Sequence, residues 1–288
     1  MRSFAVGFLA LVLASGSLYG QAGTAAVKKT NLARDTYLFS APEGNLVLYD
    51  GANGFVAAGV QSPSLVRAAR AQVDARSGRR GYAIALVSDS AAAYGDGGWA
   101  STGAVTIAHE NLRRRFVQQT ATRSPSSPTV TSLGFSEVIQ IYVPGEDTHA
   151  VHQKPGYSDA DVSVHLERAG VLVLGSIFTA DGYPALDTEH GGNFAGLLET
   201  ATTFANNFGT LPTVVPARGP AVSGRVLRDY VAMLTAVRNR VQQLSRSGRT
   251  LQQVIAARPT AEFDARWGHG SVTPDAFVTA VYNSLSAR

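Results

Sequence analysis

Three stretches of this 288-residue chain hold polar residues at spacings that could carry chemistry: residues 87–99, 155–178 and 214–222. In the second, Asp159 and Asp161 stand two apart and offer a carboxylate pair for acid–base work in a dry pocket. Nothing else in their neighbourhood argues for that role. Ser90 and Ser176 are possible nucleophiles, but a serine needs an adjacent base that is itself oriented by a third group. The one histidine in the three stretches is His165, on an expected strand, and the chain has neither a G-x-S-x-G elbow nor an S-x-x-K motif. The remaining metal-ligand types are His149, His152, His190 and Asp147. His149 and His152 are three apart on an expected strand, so their side chains point to opposite faces and do not share an ion. His190 sits in a loop, Asp187-Thr188-Glu189-His190-Gly191-Gly192. The plain reading of these histidines is isolated polar or surface residues. His109 reads as part of a helix start, and His269 as a loop residue.

Composition narrows the rest. With 45% hydrophobic and 16% charged residues, the chain can bury a large core. There is no cysteine, which removes disulfides, thiolate metal ligands and a lipid-acceptor cysteine. The net charge of +4 is mild and spread out. The densest basic run, Arg113 to Arg115, lacks interleaved aromatics and reads as a solvated helix face, so no nucleic-acid partner is expected. Residues 1–24 read as an export signal: Arg2, an apolar run from Phe4 to Ala14, then small residues. That run is shorter than the ~20 residues of a membrane-spanning helix. A periplasmic or extracellular location follows as an expectation, with no membrane association once the signal is removed. Residues 25–288 read as a single domain with an extra C-terminal helix.

The elements that must position these residues follow from periodicity and turn signals. Strands are expected at 36–39, 46–49 and 55–58, with Asp50-Gly51 and Asn53-Gly54 as turns. Ser62-Pro63 opens a helix whose apolar face is Leu65, Val66, Ala69 and Val73. Strands at 82–87 and 105–108 precede a helix at 110–120. After a Ser/Thr/Pro-rich loop, strands are expected at 137–143, 149–153, 162–166 and 171–174. A helix at 193–207, a strand at 213–215 and helices at 225–245, 251–257 and 275–285 complete the chain. In the long helix Leu227, Tyr230, Val231, Leu234, Val237 and Val241 share a face; in the last, Phe277, Val281 and Leu285 do. Strands then helix, repeated in both halves, predict two sheets face to face with helices outside.

Residues 87–99 read V-S-D-S-A-A-A-Y-G-D-G-G-W, and this resembles the histidine-rich loop T-H-x-H-x-D-H-x-G-G-N of the metallo-β-lactamase superfamily. Aligning Gly97-Gly98 with the family's paired glycines needs no gap. Ala108-His109-Glu110-Asn111 is similar to the family's helix start after that loop. Tyr157-Ser158-Asp159-Ala160-Asp161, two strands and Gly175-Ser176 are similar to its second motif, and residues 214–220, V-V-P-A-R-G-P, to its V-V-P-G-H-G-P. The resemblance runs from about Tyr37 to Phe263. It implies an α/β (α+β) fold, the four-layer αββα sandwich of metallo-β-lactamase type, and in the family one or two zinc ions that make hydroxide near neutral pH.

The same alignment implies that all seven metal-ligand positions are substituted. Ser90, Ala92, Tyr94 and Gly95 stand where the first loop has its ligands, flanked by Asp89 and Asp96; Tyr157, Ser176 and Arg218 stand at the other three. Seryl and neutral tyrosyl oxygens are poor zinc donors, and the Arg218 guanidinium stays protonated and repels a dication. With Asp159, these ten residues form a vestigial pocket without metal or cofactor, in which Arg218 could pair with Asp89, Asp96, Asp159 or Asp161. An arginine between tyrosines suits a small anionic or aromatic ligand. Three readings stay open: a non-catalytic binding protein or pseudoenzyme, an active ester, lactam or thioester hydrolase with a displaced metal site, and a regulatory subunit of an intact relative, docking through the apolar stripe of the C-terminal helix.

Overall fold

The computed structural model describes residues 26–73, 80–85, 99–121 and 133–286. Strands β1 (Lys28–Ala33), β2 (Thr36–Ala41), β3 (Gly44–Asp50) and β4 (Gly54–Gly59) form an antiparallel meander. Helix α1 (Pro63–Val73) crosses to β5 (Arg80–Ala85), and parallel pairing continues through β6 (Val105–His109) and β7 (Leu133–Phe135), with α2 (Glu110–Ala121) between them. This makes a seven-stranded sheet in the order β1 to β7. The second sheet has five strands in the order β12-β11-β10-β9-β8. Its strands are β8 (Val138–Val143), β9 (Glu146–His152), β10 (Val162–Leu166), β11 (Val171–Gly175) and β12 (Thr213–Pro216). The outer helices on this side are α3 (Phe194–Phe208), α4 (Arg225–Arg246), α5 (Leu251–Ala256), α6 (Asp264–Trp267) and α7 (Pro274–Ser286).

Period-2 alternation divides the apolar residues among three interlayers. Val47, Val56, Ile84 and Ile107 of the large sheet meet Ala150, Val164, Val171 and Val173 of the small one. The opposite face of the large sheet, with Leu46, Leu48 and Phe55, packs on Leu65, Val66, Ala69 and Val73 of α1. The outer face of the small sheet, with Leu172, Leu174 and Val214, packs on α3, α4 and α7. The result is the αββα sandwich that the motifs imply.

Most expected elements fall within one or two residues of their places. The expected strand at 149–153 begins three residues earlier, because Gly145 adopts a left-handed φ of 95° and turns the chain tightly into Glu146. Strand β1 has no counterpart in the periodicity: its residues, Lys-Lys-Thr-Asn-Leu-Ala, are mostly exposed, as suits a sheet edge guarded by lysines. Part of the apolar stripe on α7 is core. Phe277 and Val281 are fully buried, and Phe277 stacks on Tyr183 with ring centroids 4.7 Å apart. No described helix is long and apolar enough to cross a membrane.

Candidate functional site

Strand direction brings the second and third of the three polar stretches to one end of the sandwich. Strands β11 and β12 run parallel with Gly175 opposite Pro216, and the Ala217 N–H donates to the Gly175 carbonyl at 2.7 Å. Ser176 therefore sits beside the segment that carries Arg218. Strand β10 is antiparallel to β11, so the 153–161 loop, with Tyr157 and Asp159, opens at the same end. Gly175 has a φ of 56°, and this left-handed turn sends Ser176 away from the strand. From the other sheet, Asn45 reaches into this end. Its N–H donates to the Ala217 carbonyl at 2.8 Å, and its buried Nδ2 donates to the carbonyls of Pro216 (3.0 Å) and Gly219 (2.9 Å). Tyr157 and Ser176 are half-buried, and Arg218 is exposed. Asp89, Ser90, Ala92, Tyr94, Gly95 and Asp96 lie outside the described residues.

The two carboxylates of the second motif are already engaged. Asp161 is fully buried. Its Oδ2 accepts from the N–H groups of Gly156 (2.9 Å) and Tyr157 (2.7 Å), and its Oδ1 from the N–H of Ser158 (3.0 Å) and the Ser158 hydroxyl (3.2 Å). Burial pushes its pKa up to about 6, against the pull of these donors. Asp159 is paired with Arg115 of α2. Of the partners expected for Arg218, then, Asp159 belongs to Arg115 and Asp161 to the backbone of its own loop. This also corrects the reading of Arg113 to Arg115 as a solvated face: Arg115 turns inward and is only 18% exposed.

The loop is zipped to residues 187–193. The Asp187 N–H donates to the Tyr157 carbonyl (2.8 Å), the Asp159 N–H to the His190 carbonyl (2.8 Å) and the Asn193 N–H to the Gly156 carbonyl (2.9 Å). Gly192 is required by this approach, since a Cβ there would overlap the Tyr157 carbonyl oxygen. Asn193 caps α3 by accepting from the Gly196 N–H at 2.8 Å, so the helix start and the loop are one construction.

The histidines separate as the strand spacing requires. His149 faces outward, where it pairs across strands with His165 and lies 3.6 Å from Glu167. His152 faces the other sheet and stacks on His109, with centroids 3.8 Å apart and planes 11° apart. The expected helix-start role of His109 is present, since its Nδ1 accepts the Asn111 N–H at 3.3 Å, but it is only part of what the ring does. His190 pairs with Asp187 at 2.6 Å, His269 lies against the Ala265 carbonyl at 2.9 Å, and Asp147 pairs with Arg168 at 2.8 Å. Among the described residues no three His, Cys, Asp or Glu side chains are grouped so as to hold a metal ion. The three described positions that the resemblance gives to zinc ligands carry a tyrosine, a serine and an arginine. That donor set does not fit zinc, which takes nitrogen, thiolate or carboxylate donors. Sequence reasoning missed Asn45, Arg115 and the His109–His152 stack. The phrase Ala108-His109-Glu110-Asn111 flagged His109, but no spacing rule pairs it with His152, 43 residues on and in the other sheet.

Neither a protein-family model nor a curated protein matches the sequence. Solved structures match its fold. The stereoselective inverting sec-alkylsulfatase Pisa1 from Pseudomonas sp. superposes with a TM-score of 0.67 at 14% identity, covering 89% of this chain and 50% of the alkylsulfatase. The metallo-β-lactamase from Pontibacter korlensis gives 0.56 at 11%, covering 73% of this chain and 99% of that one. The enzyme from Hirschia baltica gives 0.55 at 15%, covering 73% and 98%. This chain thus spans half the length of the alkylsulfatase and nearly all of each lactamase. At these identities the likeness is one of fold.

Proposed function

We propose that this chain, with its metallo-β-lactamase fold, is an exported, non-catalytic protein that has lost the zinc site and binds a small anionic or aromatic molecule in the vacated cleft. The observation that carries the reading is the donor set at the cleft end. Tyr157, Ser176 and the exposed Arg218 stand at ligand positions, while the neighbouring carboxylates of Asp159 and Asp161 are held by Arg115 and by backbone amides. A guanidinium recognises carboxylate, sulfate or phosphate through paired N–H donors, and a phenol adds a stacking face and a hydroxyl. Neither needs a metal. Export rests on the leader-like residues 1–24.

The second reading is a hydrolase with a displaced metal site. The alkylsulfatase and lactamase neighbours favour it by name, and it would draw on His149, His152, His190 and Asp147. Those four side chains already serve Glu167, His109, Asp187 and Arg168 in separate places, which argues against it. A role as partner of an intact relative draws less support, because Phe277 and Val281 of the α7 stripe pack in the core.

The test is metal content of the mature protein by elemental mass spectrometry, after incubation with zinc and removal of loose ion. Far less than one equivalent is expected. One or two tightly held equivalents would overturn the proposal and direct the search for ligands elsewhere. Ligand screening by thermal shift with aryl sulfates, sulfonates and carboxylates, on the wild type and Arg218→Ala, then tests the cleft itself.

A further inference from the structure

His109 ends β6 of the large sheet and His152 ends β9 of the small one, so their stacked rings bridge the sandwich at the cleft end. Both rings are tied to backbone. His109 is buried at 4% exposure; its Nε2 donates to the Ser136 carbonyl at 3.0 Å while its Nδ1 accepts the Asn111 N–H. These two bonds require the neutral ring with its proton on Nε2. His152 Nε2 donates to the Asp159 carbonyl at 3.0 Å, and the Asn111 side chain donates to the same oxygen at 2.7 Å. The Phe135 ring meets His109 edge-on and closes the far side. Asp159, at the centre of the cleft loop, is thus held by a relay from both sheets.

A proton taken up by His109 must go to Nδ1. That turns the acceptor facing the Asn111 N–H into a second donor, and the bond is lost. It also places a cation immediately before the first turn of α2, where the helix dipole opposes it, and beside a second imidazole. Glu110 and Asp159 favour the cation, and Arg115 of α2 opposes it. Glu137 offers His152 its backbone carbonyl, at 2.8 Å from the His152 N–H. Burial and the neighbouring His152 together hold His109 below its ordinary value.

We propose that His109 and His152 form an acid-labile clamp between the two sheets, and that protonation of His109 releases the 153–161 loop at the cleft. Both are positioning residues: they act on the cleft through Asp159. The proposal stands whether or not the cleft holds a ligand.

The experiment is amide hydrogen exchange of the loop from pH 7.5 to 5, corrected for intrinsic rates, on wild type and on His109→Gln. A glutamine can donate to Ser136 and accept from Asn111, yet it does not titrate. In the wild type, protection of the Asp159 amide is expected to fall about tenfold on acidification. In His109→Gln it stays at its neutral-pH level. The other ionisable side chains on or against this loop, Asp161, Asp187 and His190, are unchanged in the variant. A variant that keeps the wild-type acid response, or a wild type with no response, overturns the proposal. If His109→Gln does not fold, nitrogen-15 NMR of the wild-type histidines decides. The expected result is His109 as the Nε2–H tautomer at pH 7.5, titrating together with loss of loop protection. A His109 that titrates without loop opening, or a loop that opens while His109 stays neutral, also overturns it.

Discussion

Asn45, the second residue of β3, and Ala217, just past the end of β12, are joined by a main-chain hydrogen bond of 2.8 Å although their strands belong to different sheets. The Asn45 side chain extends the joint to Pro216 and Gly219, and Gly44 lets the backbones approach: a Cβ there would come within 2.9 Å of the Ala217 carbonyl oxygen. The segment presenting Arg218 is therefore fixed by the opposite sheet as well as by its own, where the Ala217 N–H donates to the Gly175 carbonyl.

Asn45→Ala leaves two carbonyl groups without their buried donor. A loss of ~1–3 kcal/mol in unfolding free energy is expected. Denaturant unfolding of the two proteins measures it, and equal midpoints would show that the joint contributes nothing.

Gly192→Ala forces a methyl group against the Tyr157 carbonyl oxygen. Backbone cannot yield there without breaking the ladder between residues 156–159 and 187–193, so a cost of ~1–3 kcal/mol or more is expected. Thermal unfolding checks it; an unchanged midpoint would mean the two loops are not locked together.

Arg115 and Asp159 are partly exposed, so their pairing is worth less than a buried bridge. A double-mutant cycle with Arg115→Gln and Asp159→Asn should give a coupling of ~1 kcal/mol that shrinks as salt is added. A coupling indistinguishable from zero at low salt would remove Arg115 from the support of the loop.

Asp161 carries a pKa raised to about 6 by burial. The folded chain then holds its proton more tightly than the unfolded chain does. The stability it contributes is full below the ordinary carboxylate range and is lost as pH rises through about 6. His109, held down, has the opposite sign: its contribution is present above its ordinary value and is lost as pH falls. Relative to Asp161→Asn, the wild type should lose stability between about pH 4 and 7. Unfolding curves of both proteins across that range test the slope, and parallel curves would contradict it.

Arg218→His returns one imidazole to a position where the resemblance places a ligand. One donor does not make a site that needs ~three. No tight zinc binding is expected by equilibrium dialysis; tight binding would mean that the other donors are already in place.

The apolar spacings of this chain determined its layers. Leu65, Val66, Ala69 and Val73 are read as one face and are buried as one; so are Leu227, Tyr230, Leu234, Val237 and Val241 in α4. Periodicity is a property of neighbours in sequence, and hydrophobic burial acts on it directly. Strand direction likewise brings the second and third motifs side by side, with Gly175 opposite Pro216. The partners of the polar groups were decided only by the tertiary structure. Arg115 reads like Arg113 and Arg114 in sequence, yet it alone reaches Asp159; His152 reads as a solitary histidine, yet His109 lies on its face. A hydrogen bond or stack is set by distances of a few ångströms between segments that no local pattern relates. That is why the frame of this protein is legible in its residues, while the bonds that hold its cleft loop appear only when the two sheets are brought together.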